Sequence, residues 1–192
     1  MAVDMHRNAL LDSLERYLAC HPEDQLRTDR IRQFVRAHAD CFERSNLEGH
    51  ITASAWILSN DRKHFLMTLH NKLDRWLQLG GHADGDPDTA RVALREAREE
   101  SGMQDFAFFP SDGAQLPLDI DVHVIPERKS EPAHLHHDIR YLLVAGPHQE
   151  LRISDESAAL RWFASEDAER ILDEESTLRM ARRTRALLAK AR

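Results

Sequence analysis

Apolar residues along the first fifty positions recur at helical spacing. Leu10, Leu11, Leu14 and Leu18 share one face over residues 9–18, and His21-Pro22 interrupts the pattern. A second stretch runs from about Asp24 through Ile31, Phe34, Val35 and Phe42 and ends near Asn46. A helical hairpin over residues 1–48 is the expectation. From His50 the texture changes to short apolar runs, HITASAWILS, FLMTL and WLQL, each of strand length. Gly80-Gly81 closes the third run, and the polar turn HADGDPD leads into a helix from about Pro87 to Ser101. Pro87 suits the first helical position, with Asp86 as N-cap and Asp88 at the favourable end of the helix dipole. Gly102 suits the left-handed residue after the last turn. Further strands are expected at 118–125, 139–145 and 159–163, and helices near 165–173 and 176–190. Strands followed by helices, without strict alternation, predict an α+β domain with a mixed sheet over residues 49–192.

Composition narrows the function classes. Hydrophobic residues make up 42% of the 192 and charged residues 31%, the balance of a soluble globular chain. The formal charge of -7 disfavours a surface that grips long nucleic acid, but not a small phosphate ester whose charge a cation offsets. No apolar run approaches the roughly 20 residues of a membrane span, and the start of the chain lacks the apolar core of a signal peptide. Cys20 and Cys41 form neither a disulfide framework nor a CxxC pair, so reduced thiols in a cytoplasmic protein are expected.

The stretch ALREAREESG carries the chemistry. Glu96, Glu99 and Glu100 stand at i, i+3 and i+4, so their carboxylates project from one helix face. Like charges at that spacing cost a few tenths of a kcal/mol per pair. Arg95 offers relief by pairing with Glu99 at i+4, and a hard divalent cation offers more. A solvated acidic face is the plainer account of the same three residues.

Their surroundings favour the cation. Gly81, then Arg95-Glu96-Ala97, Glu99-Glu100, Gly102 and Met103 resemble the signature of the Nudix hydrolase superfamily, over roughly residues 50–165. One defining position departs: the glutamate expected six residues after Gly81 is Pro87, with Asp86 or Asp88 as its substitute in bracing the loop. The resemblance implies a Nudix-type α/β/α sandwich behind the N-terminal hairpin. It also implies hydrolysis of a phosphoanhydride in a nucleoside diphosphate linked to another group, with Mg²⁺ or Mn²⁺. By that resemblance Glu99 and Glu100 are the principal metal ligands, Glu96 a further ligand or base, and Arg95 an orienting partner. Some relatives take a base from a loop outside the signature, and here Asp155 and Glu156 are the candidates.

Twelve histidines are many for this length. Those at His50, His82, His134, His136 and His137, with Asp138, fall on expected sheet edges and loops of one domain, and His123 lies in DIDVHVIP. Imidazoles gathered with a carboxylate suit Zn²⁺ or Mn²⁺, which makes His50, His82, His136 and Asp138 a candidate second metal site. The same positions resemble isopentenyl-diphosphate isomerases, a non-hydrolytic branch of the fold, at His50 and His82. The isomerase cysteine would fall at Gly80, however, and the hydrolase glutamates are intact, so hydrolysis is the better expectation. A non-catalytic nucleotide-binding module is a further alternative. The expected partner is a small nucleotide or diphosphate. The apolar stripe of the hairpin calls for a surface on its own domain or on a second copy.

Overall fold

The computed structural model describes residues 2–71, 74–110, 115–128, 132–153 and 157–191. The chain opens with α1 (Ala2–Cys20), a single 3-10 turn at Pro22–Asp24, and α2 (Gln25–Ala37). α2 ends earlier than its apolar spacing predicts, because His38 adopts extended backbone and residues 39–46 form turns. Asn46 fixes those turns: its Nδ2 donates to Asp40 at 2.9 Å, and its side-chain oxygen accepts from the Glu48 amide at 3.1 Å. Phe42 and Cys41 are buried all the same, so they belong to the core without belonging to a helix.

Among the described residues eight strands follow: β1 (Gly49–Leu58), β2 (His64–His70), β3 (Arg75–Leu77), β4 (Leu79–His82), β5 (Phe106–Phe108), β6 (Asp119–Ile125), β7 (His134–Ala145) and β8 (Ser157–Ala164). Helix α3 (Thr89–Ser101) lies between β4 and β5, while α4 (Ala168–Ile171) and α5 (Glu175–Lys190) come last. The spine of the sheet is a parallel pair, β1 with β7, in register over ten positions from Gly49↔Leu135 to Leu58↔Val144. Every other pairing is antiparallel: β4 and β2 along the free edge of β1, β6 and β5 along that of β7, and β3 and β8 on β2. The mixed sheet with helices on both faces is the α/β/α sandwich.

Strand alternation sorts side chains cleanly. Ile51, Ala53, Ala55 and Ile57 of β1, with Ile139, Tyr141 and Leu143 of β7, face α3 and the N-terminal helices. Leu10, Leu14, Tyr17, Ile31 and Val35 are buried in that same layer, so the hairpin's apolar stripe packs on its own sheet. Each such fully buried aliphatic side chain contributes roughly 1.5–3 kcal/mol. The even-numbered residues of β1 and β7 face the other way. There Trp56, Leu58, Leu142 and Phe163 pack against Met180 and Leu188 of α5.

An ion network ties the two ends of the chain to this sheet. Asp119, fully buried, accepts from Arg140, from Arg179 at 2.7 and 2.8 Å, and from Arg183. Arg183 also reaches Asp24 at 2.7 Å, and Asp24 bonds Tyr17 and Arg27. Among the described residues no helix is long and apolar enough to cross a membrane.

Candidate active site and histidine cluster

Helix α3 starts two residues later than expected. Its N-cap is Asp88, whose side chain accepts from the Arg91 amide at 3.0 Å, while Pro87 and Asp86 stay in the preceding turn. Asp86 receives the Arg91 guanidinium at 2.8 and 2.5 Å and the Asp88 amide at 2.9 Å. Both aspartates therefore brace the turn against the helix start, around the proline that stands in the glutamate position. At the other end Gly102 takes a left-handed conformation, φ 74°, and its amide closes the last turn on Arg98.

Between these ends the helix presents the three carboxylates. Ala93 and Ala97 face the sheet and are buried; Glu96 and Glu100 are half-buried and Glu99 is exposed. Glu96 lies directly over Gly81, where an added Cβ would meet its carboxylate carbon at 2.6 Å. Arg95 fixes the arrangement by donating one terminal nitrogen both to Glu96 at 2.8 Å and to the His82 carbonyl at 2.7 Å. Arg95 thus pairs with its neighbour Glu96 rather than reaching Glu99 one turn on. Guanidinium, carboxylate and strand end form one unit: the glycine is needed because Glu96 occupies the space of its side chain. Arg91, Leu94, Arg95, Arg98, Glu99 and Gln104 line a groove of about 330 Å³ beside it. A larger cavity, about 500 Å³, lies on the opposite face of the sheet, walled by Trp56, Leu58 and Phe65 and by Ala181 and Leu188 of α5.

The histidines gather on the sheet face opposite α3. Pairing places His136 of β7 beside His50 of β1 and His123 of β6 beside His136, while His82 of β4 pairs with Thr52. Partners in a ladder point to the same face, so all four rings converge. Nε2 of His50 stands 3.1 Å from Nε2 of His136, and one ligand nitrogen from each of His50, His82 and His136 lies within 4.8 Å of the others. His134 adds a fifth ring, 5.0 Å from that of His50. Burial lowers the His50 pKa to about 4, helped by the charges of His82 and His134, and burial among four imidazoles lowers that of His136 further. Both rings are neutral at physiological pH.

Two residues of the sequence reading have other partners. Asp138 accepts from Ser54 at 2.8 Å, Thr52 at 3.1 Å and Arg140 at 2.8 Å, so its carboxylate joins the buried ion network rather than the three-histidine group. His137 points to the opposite face, as strand alternation requires, and stacks on Phe34 at 4.1 Å. Asp155 and Glu156, proposed as an external base, lie outside the described residues. Arg91 and Arg98 were not singled out from the sequence, and it is the groove they share with Glu99 that brings them to the site.

Comparisons with known proteins agree with this geometry. A family model described as NUDIX domain matches residues 49–186. A C. elegans Ap4A hydrolase in a binary complex superposes with a TM-score of 0.57 at 21% identity, over 73% of this chain and 98% of that one. A NUDIX-family hydrolase from Clostridium perfringens gives a TM-score of 0.56 at 24% identity, over 72% and 97%. The M. smegmatis Nudix hydrolase RenU gives 0.54 at 14%, over 75% and 89%. No curated protein sequence matches significantly. With the glycine, the arginine and the three glutamates disposed on one strand end and one helix, and a family match spanning most of the chain, this protein belongs to the Nudix hydrolase family.

Proposed function

We propose that this protein is a metal-dependent pyrophosphohydrolase that cleaves a phosphoanhydride bond in a nucleoside diphosphate linked to another group. The observation that carries the reading is the Gly81–Glu96–Arg95–His82 unit, which presents Glu96, Glu99 and Glu100 on one edge of α3. Three carboxylates within two turns are a hard, all-oxygen donor set, which fits Mg²⁺ or Mn²⁺. A cation held there stabilises negative charge on phosphoryl oxygens.

The protein's own groups do the rest. Arg95 neutralises one charge of the triad and fixes the direction of Glu96, so the carboxylates need not reorganise when substrate arrives. With one oxygen committed to Arg95, Glu96 is better suited to holding a cation than to accepting a proton. Glu99, exposed and lining the groove, is the better placed to orient an attacking water. Along the same groove Arg91 is held by Asp86 and Arg95 by Glu96, while the Arg98 guanidinium is suited to meeting phosphate oxygens.

A side chain at Gly80 would meet Ser54 Oγ, Ser54 Cα at 2.6 Å and the Ala53 carbonyl at 2.7 Å. The position of the isomerase cysteine therefore has no room for one, which favours hydrolysis over isomerisation. The intact glutamates favour turnover over mere binding. The substrate is small rather than a long nucleic acid, given the net charge of -7. A dinucleoside polyphosphate is the first candidate, since a fold relative is an Ap4A hydrolase. Cys20 and Cys41 are free thiols, in keeping with a cytoplasmic site of action.

The test is product release from dinucleoside polyphosphates, nucleotide sugars and nucleoside triphosphates, with Mg²⁺ or Mn²⁺, for wild type, Glu99→Gln and Glu100→Gln. Metal-dependent cleavage that falls at least about a hundredfold in the variants is expected. Cleavage of none of them, or equal rates in wild type and variants, overturns the reading.

A further inference from the structure

The histidine cluster belongs to no part of the chemistry just described. We infer that His50, His82 and His136 form a second metal centre, for a transition ion of the Zn²⁺ class, separate from the carboxylate site on α3.

Three observations carry this. The first is geometric. Two nitrogens bound to one tetrahedral ion at 2.0–2.1 Å stand about 3.3 Å apart. The His50 and His136 Nε2 atoms are already 3.1 Å apart. The third ligand atom lies within 4.8 Å, and the rings of His82 and His136 are half-exposed, so a small rotation about their side-chain bonds closes the set.

The second is the nature of the donors. Asp138 is held by Arg140, Ser54 and Thr52, which leaves a nitrogen-only set. Such a set prefers borderline ions over Mg²⁺. It is therefore chemically distinct from the three glutamates.

The third is the surrounding shell. Histidines that serve metals commonly have the other ring nitrogen fixed by a carbonyl or carboxylate. Two of the neighbouring rings are fixed in this way: His134 Nδ1 contacts the Pro132 carbonyl at 2.9 Å, and His123 Nδ1 contacts Asp121 at 3.3 Å. With Nδ1 as the donor, each keeps a lone pair at Nε2. Their rings stand 5.3 and 5.5 Å from that of His136, so either is near enough to support the fourth coordination position.

The centre also has a place in the architecture. His82 contributes its ring to the cluster and its carbonyl to Arg95, which holds Glu96. An ion on the ring anchors the strand end against which the glutamates are set.

The experiment uses tag-free protein, stripped with chelator, dialysed and titrated with Co²⁺ alone. Binding of one equivalent with the visible absorption of four-coordinate Co²⁺, displaced by Zn²⁺, is the expected result. His82→Ala and His136→Ala each weaken that binding by at least about a hundredfold, beyond what loss of a mere supporting partner costs. Glu99→Gln leaves it unchanged, which separates this centre from the carboxylate site and makes the outcome independent of hydrolase activity. Zn²⁺ should raise the melting temperature of wild type and of Glu99→Gln but not of His82→Asn, a variant that retains a polar side chain should the alanine form fold poorly. Absence of the four-coordinate spectrum in wild type overturns the inference, as does Co²⁺ binding lost in Glu99→Gln but kept in His82→Ala.

Discussion

Gly80 and Gly81 are adjacent, yet an alanine at each should do opposite things. At Gly81 the added methyl meets only the far end of the Glu96 side chain, at 2.6 Å, and that end can move. Relieving the overlap displaces the carboxylate by on the order of 1 Å, a misplacement that costs about a hundredfold in rate. The sheet is untouched, so the melting temperature should hold to within about 2 °C. At Gly80 the methyl meets the Ser54 Cα and the Ala53 carbonyl, the backbone of β1 itself, at 2.6 and 2.7 Å. Backbone cannot step aside, and overpacking of this kind costs about 1–3 kcal/mol. At about 2–4 °C per kcal/mol for a chain of this size, Gly80→Ala should melt up to about 12 °C lower. The assay is a calorimetric scan of each variant beside the initial rate on the best substrate of the nucleotide panel. If Gly81→Ala keeps full activity, or loses as much thermal stability as Gly80→Ala, then the seat of Glu96 on Gly81 does not set the site.

Three further outcomes follow from the same contacts. Burial opposes ionisation of Asp24, but the bonds from Tyr17 and Arg183 outweigh it and hold its pKa below the usual carboxylate range. A lowered folded pKa means stability that is present above about pH 4 and lost as pH falls below it, so melting temperatures recorded between pH 6 and 3 should fall less steeply for Asp24→Asn than for wild type. Asp119→Asn removes the buried charge that Arg140, Arg179 and Arg183 share and should cost about 3–5 kcal/mol, measured by urea denaturation; a loss under about 1 kcal/mol would show that Asp121 and Asp138 suffice to hold the arginines. Asp88→Ala removes the α3 cap and should cost about 1 kcal/mol in the same assay, with no loss at all if Asp86 takes over the role.

The glutamate helix was legible in the sequence because its period, its glycine stop and its polar lead-in all lie within about twenty consecutive residues. The error of two residues at its start arose from local chemistry: Asp86 and Asp88 are equally good caps on paper, and the contact to the Arg91 amide decides for Asp88. β5 left no signal, since Phe106–Phe108 is three residues long and is a strand only through pairing with β7. The start of β7 was hidden for a different reason. Residues 134–138 read HLHHD, polar enough to resemble a loop, because one face of that strand carries the imidazoles. Likewise the apolar spacing carried the second helix on to near Asn46, because a buried turn can carry apolar residues such as Phe42 at helical spacing by coincidence. The sequence grouped His50, His82 and His136 but wrongly added Asp138 to them. Which rings meet depends on the register of β1 against β7, and the same register gives Asp138 to Thr52 and Ser54.

That register has a consequence for how the molecule is made. His50 and His136, facing partners in the central pair, are 86 residues apart in the chain. No turn or local hairpin brings them together, so the spine forms only by closing a very long loop, which makes folding slow. During synthesis β1, buried along its entire length in the finished sheet, emerges early and must await a partner that appears after two thirds of the chain. In that interval it is an apolar strand with an open edge, and self-association of the nascent protein would begin there.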